Sequence, residues 1–159
     1  MTPPELYAYL DGMGISYEVE EHAPVFTIDE MRELGIKGSV CKNLCLRDAK
    51  GRQHFLVVLP GDRQADLGAL AAALGSSKLS FASEERLMKH LGLTKGSVTP
   101  LAVIQDPDHT VQVLLDESLT GMDRLGVHPL VNTATLWISG ADLLRFVRSC
   151  GNPVKIVSI

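Results

Sequence analysis

Apolar residues Leu6, Tyr7 and Leu10 form a stripe at helical spacing behind Thr2-Pro3-Pro4. Thr2 can cap and proline is tolerated in a first turn, so a helix is predicted from about Pro3 to Leu10. Gly12 and Gly14 stop it, and a short strand is predicted around Tyr17–Glu20. Thr27-Ile28-Asp29-Glu30 matches a capping box and opens a helix that carries Met31 and Leu34 and ends at Gly35. Ser39–Leu46 and His54–Leu59 read as the arms of a β-hairpin around the turn Asp48-Ala49-Lys50-Gly51. The second arm, HFLVVL, is nearly all apolar, so both of its faces should be buried.

Further along, Asp66–Leu74 is predicted helical and Gly75 ends it. Phe81-Ala82 is a short extended piece, and Ser83 caps a helix through His90 that Gly92 closes. Leu93–Pro100 reads as a loop. Leu101–Ile104 and Val111–Leu115 read as strands around Asp106-Pro107-Asp108. Leu125–Asn132 is a strand end plus loop, and Thr133–Ile138 is a strand. Ser139 caps a last helix, Ala141–Ser149, before a terminal strand at Val154–Val157. About six or seven strands and five helices in mixed order predict an α/β (mixed α+β) fold, a mixed sheet covered by helices. No linker, repeat or low-complexity run divides the chain, so residues 1–159 are expected to form one domain.

Composition narrows the function classes. Hydrophobic residues make up 45% and charged residues 21%, which excludes a disordered chain. The net charge of −4 argues against a whole-surface nucleic-acid binder but leaves room for a local basic site. With aromatics at 5%, a sheet paved with base-stacking rings is not expected. No apolar run approaches the ~20 residues of a membrane span. MTPPELYAYL carries neither a basic nor an apolar leader segment, so a cytoplasmic address is expected.

Cys41, Cys45 and Cys150 cannot make a complete disulfide framework and are expected as free thiols. On a strand, Cys41 and Cys45 would share a face roughly 13 Å apart, too far for a bridge. The five histidines lack metal-ligand spacing. A Cys–His nucleophile and a redox role for Cys41 and Cys45 are rivals that the apolar context VCKNLCL disfavours. Asp116-Glu117 and Glu84-Glu85 read as solvated helix starts.

Three segments hold candidate chemistry, each with a plain alternative. Lys42 and Asn43 interrupt an apolar strand, with Lys42 on the face opposite Cys41 and Asn43. Lys42 either snorkels to water from an edge strand or stands as a cation at the mouth of a pocket for an anionic group. Gly96-Ser97-Val98-Thr99-Pro100 is either an ordinary turn or a loop whose glycine lets backbone approach a ligand. His128 precedes Pro129 and so must be extended. It is either a loop residue without a role or a group that orients an ester carbonyl, and Asn132 and Thr133 either satisfy that loop's polar groups or face the same cavity.

His22-Ala23-Pro24-Val25-Phe26-Thr27, Cys41-Lys42-Asn43-Leu44, Gly96–Pro100 and His128-Pro129-Leu130-Val131-Asn132-Thr133-Ala134-Thr135 occur in that order. Over nearly its whole length the chain resembles the YbaK/ProX family of freestanding aminoacyl-tRNA deacylases, above all its ProX-type (PrdX-like) prolyl-tRNA editing branch. The resemblance implies a partly curled mixed sheet surrounded by helices. It implies hydrolysis of the ester linking a wrong amino acid to tRNA, alanyl-tRNA(Pro) in this branch, and serine, threonine or cysteine in related ones. A non-catalytic module that binds tRNA or a synthetase is the rival of another class.

By the same resemblance, Lys42 holds the phosphate of the terminal adenosine and Asn43 fixes the strand or the amino acid. Gly96 and Pro100 bound a pocket-shaping loop containing Ser97 and Thr99. His128 lies near the ester, with Asn132 continuing its motif. Thr27 and Leu44 join Val25, Phe26 and Met31 as pocket-wall positions. No metal or cofactor is implied. The implied mechanism positions a water, with help from the terminal ribose hydroxyl. The partners implied are the acceptor end of tRNA and, transiently, prolyl-tRNA synthetase, but no membrane and no DNA. Lys37, Arg47, Lys50, Arg52, Lys78, Lys89 and Lys95 are candidates for a local basic rim.

Overall fold

The computed structural model describes residues 1–35 and 38–159. The hairpin is its centre. Strands β2 (Ser39–Arg47) and β3 (His54–Pro60) pair antiparallel from Cys41 opposite Pro60 to Arg47 opposite His54. β3 is buried on both faces, as its composition requires, because β5 (Val111–Asp116) flanks it in parallel and helices cover both sides. β8 (Val154–Val157) extends the sheet beyond β5. On the other side, β2 meets β6 (Leu125–Val127) in parallel, then β7 (Ala134–Ile138) and finally β1 (Glu18–Glu21). A short β4 (Ser80–Phe81) also pairs with β2, at Leu46 and Arg47. The result is a mixed eight-stranded sheet. β1 is fully exposed and carries Glu18, Glu20 and Glu21, charges that discourage pairing with another chain at this edge.

Alternation along β3 and β5 separates two cores. Leu56, Val58, Val113 and Leu115 face a large cluster completed by α1 (Pro3–Gly12), α4 (Glu84–Leu91) and α5 (Gly140–Cys150). Phe55, Val57, Leu59 and Leu114 face a smaller one under α3 (Leu67–Leu74). A third cluster, Val25, Met31 and Trp137, sits beneath α2 (Ile28–Glu33). Trp137 lies across the sheet over Gly38 and Gly126; a Cβ at Gly126 would come within 2.9 Å of its ring.

The caps at Thr2, Thr27, Ser83 and Ser139 form where the sequence places them, and Asp66 caps a helix it was expected to begin. Thr2, Thr27, Asp66, Ser83 and Ser139 each accept from the third amide of their helix. The box at Thr27 is modified, since the Glu30 carboxylate accepts from the Phe26 N–H, one residue further back. Two expectations fail. Leu101–Ile104 is not a strand but part of a 3₁₀ helix, Pro100–Gln105. Thr99 caps it and Pro100 presets its first turn, and burial of Leu101, Ala102 and Val103 erases the periodicity that separates a buried strand from a buried turn. Asp116 is not solvated. It is fully buried at the end of β5 and paired with Arg63, while its neighbour Glu117 is exposed.

His54 on β3 stacks against His90 on α4, with ring centroids 3.9 Å apart, and His54 Nε2 lies 3.1 Å from an Arg86 guanidinium nitrogen. Burial, then the charges of His90 and Arg86, hold the His54 pKa down at about 4. The folded state therefore keeps this ring neutral where an unfolded chain, with a histidine pKa near ~6.5, would bind a proton. The resulting stability is complete above that value and is lost as pH falls towards about 4. Urea midpoints are expected to fall over this window, and to fall less steeply in His54→Gln.

Candidate active site

β2 has strand neighbours on both sides for only part of its length. β6 pairs with it at Ser39 and Val40, and β4 at Leu46 and Arg47. Between them, Cys41–Leu44 keep one edge without a strand partner among the described residues. A cavity of about 650 Å³ opens against that edge, where β6 ends and its chain turns away through His128 and Pro129. A lining of this kind lies outside the carboxyl ends of a parallel pair, where open sheets commonly place ligand sites. The open edge also explains how residues of opposite faces meet: Lys42 and Leu44 from one face and Cys41 and Asn43 from the other all line the cavity. Lys42 is thus not on an edge strand of the sheet.

The other walls come from segments distant in sequence. Val25–Asp29 and Met31 cover one side, Lys95, Gly96 and Val98 a second, and Gly126, Val127, His128 and Thr135 a third. Thr27, Lys42, Asn43, Leu44, Gly96 and His128 are therefore brought together, with the wall positions Val25, Phe26 and Met31. Ser97, Thr99, Pro100 and Asn132 do not line the cavity. Ser97 and Thr99 are buried, and Thr99 caps the 3₁₀ helix that Pro100 begins. Asn132 donates from Nδ2 to the Val25 carbonyl at 3.0 Å and accepts at its own carbonyl from the Val25 N–H at 3.2 Å. It ties two walls together. Arg32, Gln64, Asp62 and Thr135 line or adjoin the site and carry no sequence motif of their own, except that Thr135 ends the His128 run.

Lys42 is half-buried, and its Nζ donates to the Arg63 carbonyl at 2.6 Å. One of its three N–H groups is thus occupied by the protein. The Asn43 side-chain oxygen is buried without a hydrogen-bond partner among the described residues. His128 donates from Nδ1 to the Ala134 carbonyl at 3.2 Å, which fixes the tautomer and leaves Nε2 as an acceptor. Burial, with the charge of His22, lowers its pKa against the pull of that carbonyl, so the ring is neutral at physiological pH. Leu130 in the same loop has φ +71°, a strained conformation for a branched side chain. His22 stands behind the lining residue Thr135, with Nδ1 donating to the Ala23 carbonyl and Nε2 2.9 Å from the Thr135 hydroxyl. Cys41 and Cys45 are buried thiols pushed up to about 12 and about 11, too high to supply a thiolate nucleophile.

Phe26 is 69% exposed and rests over Gly96, where a Cβ would come within 2.6 Å of the ring and 3.1 Å of Asn132 Nδ2. The cations divide. Lys95 joins Lys42 and Arg32 at the cavity. Arg47, Lys50 and Arg52 lie about the hairpin turn at the far end of β2, about 17 Å along the strand from Lys42. Lys78 is held at that end too, since Arg47 pairs with Ser80 and Ala49 bonds Ser77. Lys89 stands on α4, and Lys37 lies outside the described residues.

Residues 22–146 match the aminoacyl-tRNA editing domain. The chain belongs to this family. It is an aminoacyl-tRNA deacylase of YbaK/ProX type, with aminoacyl-tRNA as its partner. The prolyl-tRNA editing protein ProX of Acetoanaerobium sticklandii is 47% identical over 96% of this chain and 94% of its own length. A multifunctional Ser/Thr-tRNA deacylase of Escherichia coli, ProXp-y, is 29% identical over 94% of this chain and 95% of its own. The crystal structure of a candidate trans-editing enzyme for prolyl-tRNA synthetase superposes with a TM-score of 0.73, covering 99% of this chain and 96% of that one at 21% identity. That likeness concerns the fold. Among the described residues, no helix of this editing domain is long and apolar enough to cross a membrane.

Two outcomes follow for the editing domain. Gly96→Ala should displace Phe26 and slow deacylation at least severalfold, while thermal unfolding stays close to wild type because the ring it pushes is exposed. Protonation of His128 should switch activity off on the acid side, below the ordinary histidine pKa. A single-turnover pH–rate profile should show that acid limb in wild type and lose it in His128→Gln.

Proposed function

We propose that the cavity takes the aminoacylated terminal adenosine of mischarged alanyl-tRNA(Pro) and hydrolyses its ester, proofreading prolyl-tRNA synthesis in trans. The observation that carries this reading is the meeting of Lys42, Asn43 and a neutral His128 in one cavity at the open edge of β2. The 47% identity to a prolyl-tRNA editing protein supports the choice of tRNA. Val25, Met31 and Leu44 offer an apolar wall suited to a methyl side chain. A synthetase pocket built for proline cannot strongly exclude the smaller alanine, since a methylene is worth only about 1–3 kcal/mol, and a second site that is too small for proline removes the error.

In this reading, the two free N–H groups of Lys42 hold the terminal phosphate. His128 Nε2 accepts from the attacking water and orients it. A base of lowered pKa is weak, so His128 positions the water rather than deprotonating it, and the terminal ribose hydroxyl assists the proton transfer. Water adds to the ester carbon. Donors at the open edge of β2 stabilise the oxyanion, and collapse breaks the bond to the ribose oxygen, which leaves with a proton. Asn43, beside Lys42 on the same strand, fixes that strand at the cavity wall. The rim of Lys95 and Arg32 serves a short RNA end in a chain of net charge −4, so binding weakens steeply with salt. The reading carries with it residues 1–159 as one editing domain, a cytoplasmic address and transient contact with prolyl-tRNA synthetase.

A second reading rests on the 29% identity to a Ser/Thr-tRNA deacylase. It makes the substrate seryl- or threonyl-tRNA, in line with the name of the E. coli relative. A panel of mischarged tRNAs separates the two: fast release of alanine from tRNA(Pro), with prolyl-tRNA(Pro) spared, is expected. Preference for serine or threonine would move the assignment to the second reading, and stoichiometric binding without turnover would end both. Lys42→Ala should lower the rate by about 100-fold or more.

A further inference from the structure

The feature that the mechanism leaves unused is the buried carboxylate of Asp116. It receives hydrogen bonds from the Ser118 N–H at 3.1 Å, from the Ile159 N–H at 2.9 Å, from the Ser118 hydroxyl and from the Arg63 guanidinium. Arg63 also donates to the Ile159 backbone oxygen at 3.1 Å and to the Ser118 hydroxyl at 2.6 Å. Burial opposes ionisation here, and hydrogen bonds from Ser118 and Ile159, with the Arg63 charge, outweigh it, so the carboxyl stays below its ordinary range. Thus Asp116 is a fixed anion at the end of a central strand.

Arg63 belongs to the segment that leaves β3. Its backbone N–H bonds the Pro60 carbonyl at 3.1 Å, and Gly61 packs so tightly on β2 that a Cβ would lie 2.5 Å from the Val40 oxygen. From Asp62 to Asp66 the chain runs through a turn and irregular backbone, so no ladder sets the direction of the Arg63 carbonyl. What holds this residue from the other side is its guanidinium. That carbonyl is the group that accepts from Lys42 Nζ.

We propose that Asp116 and Arg63 are positioning residues for Lys42: the buried carboxylate anchors the guanidinium, the anchored residue aims its carbonyl, and the carbonyl aims the ammonium into the cavity. The inference rests on the reading of Lys42 as a substrate-holding residue. It assigns Asp116, which touches nothing in the site, a part in the rate. The physical reason is entropic. A lysine ammonium on a four-carbon stem samples many rotamers, and a fixed acceptor removes most of them before substrate arrives. One N–H is committed to the carbonyl, and the other two are left for an anion.

The test is a double-mutant cycle on the full chain, read as deacylation kcat/KM on mischarged tRNA with thermal unfolding in parallel. Asp116→Asn keeps the shape and removes the charge; Arg63→Met removes the fork, and Arg63→Lys retains a cation. In the wild-type background Asp116→Asn and Arg63→Met should each lower kcat/KM by about five- to tenfold, and Arg63→Lys should restore part of it. In a Lys42→Ala background the same changes should cost less than about twofold, because the route through Lys42 is already cut. Equal factors in both backgrounds, or full activity of Asp116→Asn beside a slow Lys42→Ala, would overturn the relay alone. A wild-type rate in Lys42→Ala would overturn the reading of Lys42 and the relay with it.

Discussion

The site depends on one interruption in hydrogen bonding: β2 loses its strand neighbour between Val40 and Leu46. A sheet interior normally satisfies both edges of every strand, and an open edge invites pairing with another chain. Here loops cover it instead, and they stand off far enough to leave a cavity. The interruption does three things at once. It gives Lys42 a way out of a buried hairpin, it lets Asn43 reach the same space from the other face, and it leaves backbone edge groups facing a cavity rather than a ladder.

Several residues of the motifs act on other residues rather than on a ligand. Asn132 clasps the backbone of Val25 in both directions. Thr99 and Pro100 start the buried 3₁₀ helix that ends the Gly96 loop. Leu130 accepts a strained backbone inside the loop that His128 closes onto Ala134. Strain of this kind costs about 1–3 kcal/mol and persists only where packing over-determines it. The loop is packed on both sides, with Leu130 against the main core and Val25 over Trp137. The motif therefore records a constructed wall more than a set of reacting groups.

Charge shows the same division between global and local. A net −4 chain still gathers Lys42, Lys95 and Arg32 about one opening, beside Asp62 and the Arg32 partner Asp29, while the cations of the hairpin turn lie at the other end of β2. At physiological salt the screening length is about 8 Å. Charges about 17 Å further along the strand contribute little to the potential at Lys42.

The hydrophobic pattern, the caps and the turn residues were enough to place the hairpin, the five helices and the buried β3, because those are set by contacts within a few residues. Cys41 and Cys45 were readable as packing thiols for the same reason. Lys42, Asn43, Gly96 and His128 were legible as candidates from residue type and spacing and from the resemblance to a family. Their convergence was implied by that resemblance but not by local pattern, since it needs β6 to pair with β2 for two residues and then leave. The burial of Asp116 and the 3₁₀ turn at Leu101 were also out of reach. Local propensity cannot say which acidic residue will find an arginine 53 positions away, or which apolar run will be buried on every side. Those decisions belong to long-range packing, where desolvation and partner geometry outweigh local preference.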